Sequence, residues 1–226
     1  MSDQPVETLI VSDFHLGLWL SRPVALLKVL REVSYQRLII NGDVFDDLNF
    51  KRLDDDHWEV LEFIRNFAKT HEVIWIIGNH DGEDDIFSHL LGVKVHKEYE
   101  WTSGNLKCLA THGDQFDRFL HRNPIFSDIA TLLYYAVQYF DGRDAKFSGW
   151  FKTHTGAWIR QCDIVAAGAA AYGRARGVGA IFCGHTHLPA QKDFGDIKYY
   201  NSGCWTDRPS TYITVDQGEV KLVEVM

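Results

Sequence analysis

Five short apolar runs in this 226-residue chain end in the same kinds of side chain. TLIVSDFH ends in Asp13 and His15, RLIINGD in Asp43, and EVIWIIGNHD in Asn79, His80 and Asp81. NLKCLATHGD ends in His112 and Asp114, and AIFCGHTH in His185 and His187. Carboxylate, imidazole and amide oxygen form a mixed donor set suited to Mn, Fe, Zn and similar divalent ions. Gathered in one place without cations, Asp13, Asp43, Asp46, Asp81 and Asp114 would repel one another. A carboxylate shared by two ions can hold them about 3.5–4 Å apart, the spacing that clamps phosphate oxygens. The chemistry to expect is metal-assisted attack on phosphorus, provided the fold brings the five run ends together.

Each run is rich in β-branched and aromatic residues and bounded by glycine and polar groups, as buried strands are. Between the early runs, RPVALLKVLREV and DDDHWEVLEFIRNFAKTH read as helices. The second begins with acidic residues and repeats Trp58, Leu61, Ile64, Phe67 and Ala68 near a helical period. Strand–helix–strand alternation predicts an α/β fold with parallel strands. Beyond Asp84 the pattern changes: VKVHKEYEWTSGNLKCLATHG predicts a hairpin turned at Ser103-Gly104-Asn105. DFGDIKYYNSG and STYITVDQGEVKLVEV predict further turns and hairpins. In open α/β sheets, ligands collect at the carboxyl ends of the strands. That rule would place Asp13, His15, Asp43, Asn79, His112, His185 and His187 in one site.

The run ends are evenly spaced until the stretch between His112 and His185, which is about twice as long as the others. IVAAGAAAYGRARG can serve as the helix before the last strand. The surplus therefore falls at about 116–159, a segment rich in aromatics and helical in parts. The expectation is one domain, 1–226, with a helical cap insertion there. Lys+Arg 23 against Asp+Glu 31 leaves a net charge of −8, which disfavours a partner needing a broad basic face, so no nucleic acid is expected. Cys108, Cys162, Cys183 and Cys204 show no paired spacing and read as buried thiols. No apolar run approaches the roughly 20 residues that span a bilayer, and the N-terminus lacks a secretory pattern. A cytoplasmic location is expected. His57, His71, His89, His96, His121 and His154 belong to no motif and read as surface or locally hydrogen-bonded residues.

The ordered set DFH, GDVFD, GNHD, HGD and GHTH, from Leu9 to His187, resembles the calcineurin-like metallophosphoesterase superfamily. The resemblance implies a four-layer sandwich, two mixed β-sheets flanked by helices, with a dinuclear centre. By that resemblance one ion would take Asp13, His15, Asp43 and His187. The other would take Asp43, Asn79, His112 and His185, with Asp43 bridging. Histidines at i and i+2 leave a strand end on the same side, so each can serve a different ion. Hydrolysis would proceed by in-line attack of a water activated between the ions. His80 stands outside both ligand sets and would act as general acid or charge stabiliser, with the Asp46 carboxylate orienting its imidazole.

A narrower resemblance rests on THGDQFD, the insertion before ARGVGAIFCGHTHLP, and the ending YYNSGCWTDRPSTYITVDQGEV. These look like the group related to bacterial UDP-2,3-diacylglucosamine pyrophosphatase, which acts in lipid A synthesis. That resemblance implies a nucleotide-lipid pyrophosphate as leading substrate and an insertion able to accept acyl chains and touch a membrane peripherally. Arg118, Arg122 and Tyr135, with Arg143 and Lys146 further on, are the candidate substrate contacts. One position departs: the dedicated enzyme carries GNRD where this chain has GNHD. The alternative substrate is a small soluble phosphodiester or phosphomonoester. In that reading Tyr134, Tyr135, Tyr139 and Phe140 form a homodimer interface instead. A non-catalytic metal-binding scaffold would show gaps in the ligand set, and none of the seven positions is missing. Manganese is the expected ion, with iron or zinc accepting the same ligands.

Overall fold

The computed structural model describes residues 4–82, 91–117 and 156–226. Most of the expected insertion, including Arg118, Arg122, Tyr134, Tyr135, Tyr139, Phe140, Arg143 and Lys146, lies outside the described residues.

The chain alternates at first between strands and helices. β1 (Val6–Val11), α1 (Pro23–Glu32), β2 (Tyr35–Asn41), α2 (Asp55–Phe67), β3 (Glu72–Ile76) and β4 (Lys94–His96) follow in order. The strands β1, β2, β3 and β4 pair in parallel. After β4 the chain crosses to a second sheet with β5 (Glu98–Ser103) and β6 (Leu106–Thr111), an antiparallel hairpin turned at Gly104-Asn105. α3 (Gly156–Arg176) leads into β7 (Ala180–Cys183), β8 (Ala190–Asp193) and β9 (Lys198–Asn201). β10 (Ser210–Asp216) and β11 (Glu219–Val225) return to the first sheet. The sheet orders are β11-β10-β1-β2-β3-β4 and β5-β6-β7-β9-β8. Both are mixed: β10 runs antiparallel to β1 and β8 antiparallel to β9, while β6, β7 and β9 are parallel.

The unbroken apolar runs follow from burial on both faces of the central strands. On one face, Leu9, Val11, Leu38, Ile40 and Trp75 pack against Leu26, Leu30, Val60 and Ile64 of α1 and α2. On the other, Ile10, Ile39, Ile74 and Ile76 meet Trp101, Ala110, Phe182 and Tyr200 of the second sheet. The outer face of that sheet packs Leu109, Ile181 and Tyr199 on Ala166, Ala169 and Ala170 of α3. Small residues let α3 lie close; a Cβ on Gly173 would come within 2.5 Å of Ile197 Cδ1. The result is the four-layer α/β sandwich, helices outside and two sheets within.

Two local expectations change. α2 buries His57, Val60, Leu61 and Ile64, whereas Trp58 is exposed. Asp54 caps the helix, accepting from the His57 N–H at 3.1 Å while His57 Nδ1 accepts from the Asp54 N–H at 3.2 Å. The buried stripe runs 57-60-61-64, the face that packs on the first sheet, and leaves Trp58 outside it. Second, β4 and β5 adjoin in sequence but belong to different sheets, so the predicted hairpin is shorter than its sequence pattern. The β10–β11 hairpin turns at Gln217 and Gly218, both at positive φ, which matches the twist of a two-residue turn.

Candidate metal centre

The carboxyl ends of β1, β2 and β3 in one sheet and β6 and β7 in the other lie at the same edge of the sandwich. Asp13 follows β1, Asp43 follows β2, Asn79 follows β3, His112 follows β6, and His185 and His187 follow β7. Asp13, His15, Asp43, His185 and His187 all have left-handed backbone, at φ 54, 46, 52, 65 and 56. Such residues are costly away from glycine and persist where surrounding structure enforces them, often at functional sites. Here the left-handed residue bends the chain off the strand end and turns the side chain inward.

Three glycines make the room. A Cβ on Gly42 would overlap the His112 ring, one on Gly78 the Asp43 carboxylate, and one on Gly184 the Asp13 carboxylate. The glycines of NGD, GNHD and CGH are thus needed for space directly behind the proposed ligands, and Gly42 also sits at positive φ.

All seven predicted ligands form one linked cluster. His187 Nε2 lies 3.2 Å from Asp13 Oδ1 and 3.0 Å from His15 Nε2. His15 Nε2 is 3.8 Å from Asp43 Oδ2, which is 3.3 Å from His112 Nε2. Asn79 Oδ1 sits 3.2 Å from His112 Nε2 and 3.1 Å from His185 Nδ1. Donor atoms of Asp13, His15, Asp43 and His187 all lie within 4.8 Å of one another. At metal–donor distances near 2.0–2.1 Å, neighbouring ligands of one ion sit about 3 Å apart. The observed separations fit that spacing, and Asp43 Oδ2 faces both halves of the cluster.

The electrostatics fit a cation too. Asp13, His15, Asp43 and His112 are almost fully buried. Burial would raise the Asp13 and Asp43 carboxyl pKa values, but neighbouring imidazoles, His187 and His112 respectively, pull both below the ordinary range. Burial opposes a charged His187, yet Cys204 and the Asp13 carboxylate push its pKa up to about 10. Burial, reinforced by His187, lowers His15 to about 3. Protons shared among buried imidazoles and carboxylates occupy the place of a positive charge, and divalent ions would displace them.

Asp81 is buried in the same GNHD turn but points away from this cluster. Its Oδ1 accepts from the Val44 and Phe45 N–H groups at 2.7 and 3.2 Å, and its Oδ2 from the Gly78 N–H at 2.9 Å and Trp75 Nε1 at 3.3 Å. Burial and the nearby Asp43 charge raise its pKa to about 6, against the pull of those N–H groups. Its work is to join the β2 and β3 loops.

His80 is half-buried, and its ring lies edge-on to His15 at 5.0 Å between centroids. Its N–H donates to Asp43 Oδ1 at 3.0 Å. The expected partner of its imidazole, the Asp46 carboxylate, is replaced by the Asp46 backbone: His80 Nδ1 lies 2.8 Å from that carbonyl oxygen. The Asp46 carboxylate instead meets Arg52 Nη1 at 2.8 Å and faces His15 Nδ1 at 3.7 Å. The ion pair with Arg52 orients that carboxylate, which still lies within 4.8 Å of the His15 and His80 rings.

Sequence reasoning also passed over Asp117. It lies beside His185, with Oδ2 3.2 Å from His185 Nε2. The available signal was its place in HGDQFD, three residues after Asp114, where a short 3₁₀ turn over Asp114–Phe116 brings it back to the strand end.

A family model described as calcineurin-like phosphoesterase matches residues 7–189 of the chain. Among solved structures, the Escherichia coli phosphoesterase Yfce is 16% identical, with 97% of this chain and 99% of that one covered at a TM-score of 0.53. A structure described as a novel archaeal phosphodiesterase is 14% identical, with 96% and 99% covered at 0.51. Zn²⁺-bound Vps29 from Entamoeba histolytica is 16% identical, with 96% and 97% covered at 0.50. At these identities the likeness is one of fold. No curated protein sequence matches the chain.

Proposed function

The chain belongs to the calcineurin-like phosphoesterase family and is a metal-dependent phosphohydrolase, and from that premise we propose that it cleaves a phosphodiester or pyrophosphate at a two-ion centre. Asp13, His15, Asp43 and His187 would hold one ion and Asp43, Asn79, His112 and His185 the other. The supporting observation is the run of separations near 3 Å between donor atoms from five strand ends. Mn²⁺ is the proposed ion, and iron or zinc would accept the same donors. Two such ions, when bound, neutralise phosphate charge and make water nucleophilic near neutral pH.

The chain's own side chains account for the rest. Asp13, His15, Asp43, His185 and His187 are preset by left-handed backbone, so they need little rearrangement. His80 donates Nδ1–H to the Asp46 carbonyl, leaving Nε2 to face the leaving oxygen, to which the imidazolium form would give its proton. Asn79 is exposed, so the cluster is open to solvent on the side where a substrate would enter.

For the substrate we favour a nucleotide-lipid pyrophosphate such as UDP-2,3-diacylglucosamine, with a small soluble phosphodiester as second reading. The first rests on the resemblance of THGDQFD and the C-terminal YYNSGCWTDRPSTY; the second on His80, which stands where the dedicated enzyme has arginine. The first reading places the protein in the cytoplasm, working against a membrane surface. Purified protein with Mn²⁺ should be given UDP-2,3-diacylglucosamine, bis-p-nitrophenyl phosphate and p-nitrophenyl phosphate, with EDTA and Asp43→Ala as controls. Efficient UMP release supports the nucleotide-lipid. Turnover of the nitrophenyl esters alone supports the second reading, and no EDTA-sensitive turnover of any of them overturns the two-ion proposal.

A further inference from the structure

We propose that Asp117 is a positioning residue for the metal centre, holding His185 in the orientation and tautomer that presents Nδ1 to the cluster, and that Gln161 of α3 fixes Asp117. The inference rests on the two-ion reading above. His185 divides its two nitrogens: Nδ1 faces Asn79 Oδ1 at 3.1 Å, and Nε2 faces Asp117 Oδ2 at 3.2 Å. A carboxylate accepting from Nε2–H leaves the lone pair on Nδ1 and raises its basicity as a ligand. Both side chains are more than nine-tenths buried, so water competes little for the contact.

The other Asp117 oxygen is also occupied. Oδ1 accepts from Gln161 Nε2 at 2.6 Å, which sets the carboxylate plane. The 3₁₀ turn that delivers Asp117 is itself packed on α3: Phe116 lies against Tyr172, and a Cβ on Gly168 would come within 3.2 Å of the Phe116 Cβ. Turn, helix and imidazole therefore share one register.

His112, the other imidazole of the same proposed ion, is held differently. The distal nitrogen of His112 contacts the Asn41 backbone carbonyl at 2.9 Å, a partner that no side-chain substitution removes. The His185 N–H is already fixed by the Asp13 carboxylate at 3.0 Å, so its backbone is anchored from the other half of the site. Rotation of the ring is what remains free, and Asp117 constrains it. Loss of Asp117 should therefore weaken one ion selectively.

The test is equilibrium competition for Mn²⁺ and Zn²⁺ against a chromophoric chelator, read as stoichiometry and affinity per ion. Wild-type protein should take two ions. Asp117→Ala should keep one with unchanged affinity and bind the other about 10–100-fold more weakly. Asp117→Asn, nearly isosteric and still able to accept from Nε2–H, should fall between, and Gln161→Ala should weaken the same ion by less. Metal-free thermal unfolding of each variant reports whether the fold is intact. Wild-type affinity for both ions in Asp117→Asn and Asp117→Ala overturns the inference. Equal weakening of both ions also overturns it, because a merely structural role does that. A wild-type protein that binds fewer than two ions overturns the two-ion reading instead.

Discussion

The Nε2 atoms of His15 and His187 lie 3.0 Å apart, although one follows the first strand and the other the last ligand-bearing strand. Burial, reinforced by the His187 charge, lowers the His15 pKa to about 3, while Cys204 and the Asp13 carboxylate raise that of His187 to about 10 against burial. In the metal-free protein near neutral pH, His187 carries the proton. A divalent ion must expel it. Apparent affinity should therefore rise with pH between about 6 and 8, by up to tenfold per unit for each proton displaced. Calorimetric titration in buffers of different ionisation enthalpy measures this; heats independent of buffer would contradict it.

Asp43 faces both halves of the cluster, so its loss removes more than one donor. Asp43→Ala should abolish metal-dependent hydrolysis, a fall of at least about 10³-fold given the several kcal/mol that metal charge contributes. Initial rates with bis-p-nitrophenyl phosphate check this, and full activity in the purified variant would sink the assignment.

His80 touches Asp43 through its backbone N–H rather than through its ring. His80→Ala preserves that N–H, so metal stoichiometry should stay at the wild-type value. Turnover should fall about 10²–10⁴-fold through loss of the proton donor. Elemental analysis beside steady-state rates separates the two effects, and loss of bound metal would refute the role given to the ring.

Gly78 and Gly184 leave room for the Asp43 and Asp13 carboxylates. Gly78→Ala or Gly184→Ala should displace the carboxylate, lower stability by about 1–3 kcal/mol and reduce metal uptake. Gly156→Ala is the control: a Cβ there meets nothing within 4 Å. Denaturant melts with metal titrations read the difference, and wild-type metal uptake in Gly78→Ala would contradict the steric argument.

The α/β class, the strand ends and the clustered polar residues were legible in the chain because central strands buried on both faces need unbroken apolar runs. A chemistry-bearing residue stands out where such a run stops. The helices were legible for a similar reason, and so was most of the buried face of α2: Leu61 and Ile64 are buried and Phe67 and Ala68 pack against the core, while Trp58 is exposed. The partition of β4 and β5 between two sheets is a matter of long-range pairing, invisible to local pattern. The candidate substrate contacts Arg118, Arg122 and Tyr135 lie outside the described residues.

Residue type and order along the chain thus determined which donors are available and which chemistry they suit. Only the tertiary structure decided which atom of each residue is used. Asp46 offers its carbonyl to His80 and its carboxylate to Arg52, and His185 gives one nitrogen to the cluster and the other to Asp117. The reason is physical: a motif specifies neighbours along the backbone, whereas the direction of a lone pair depends on rotamer, backbone φ and partners distant in sequence.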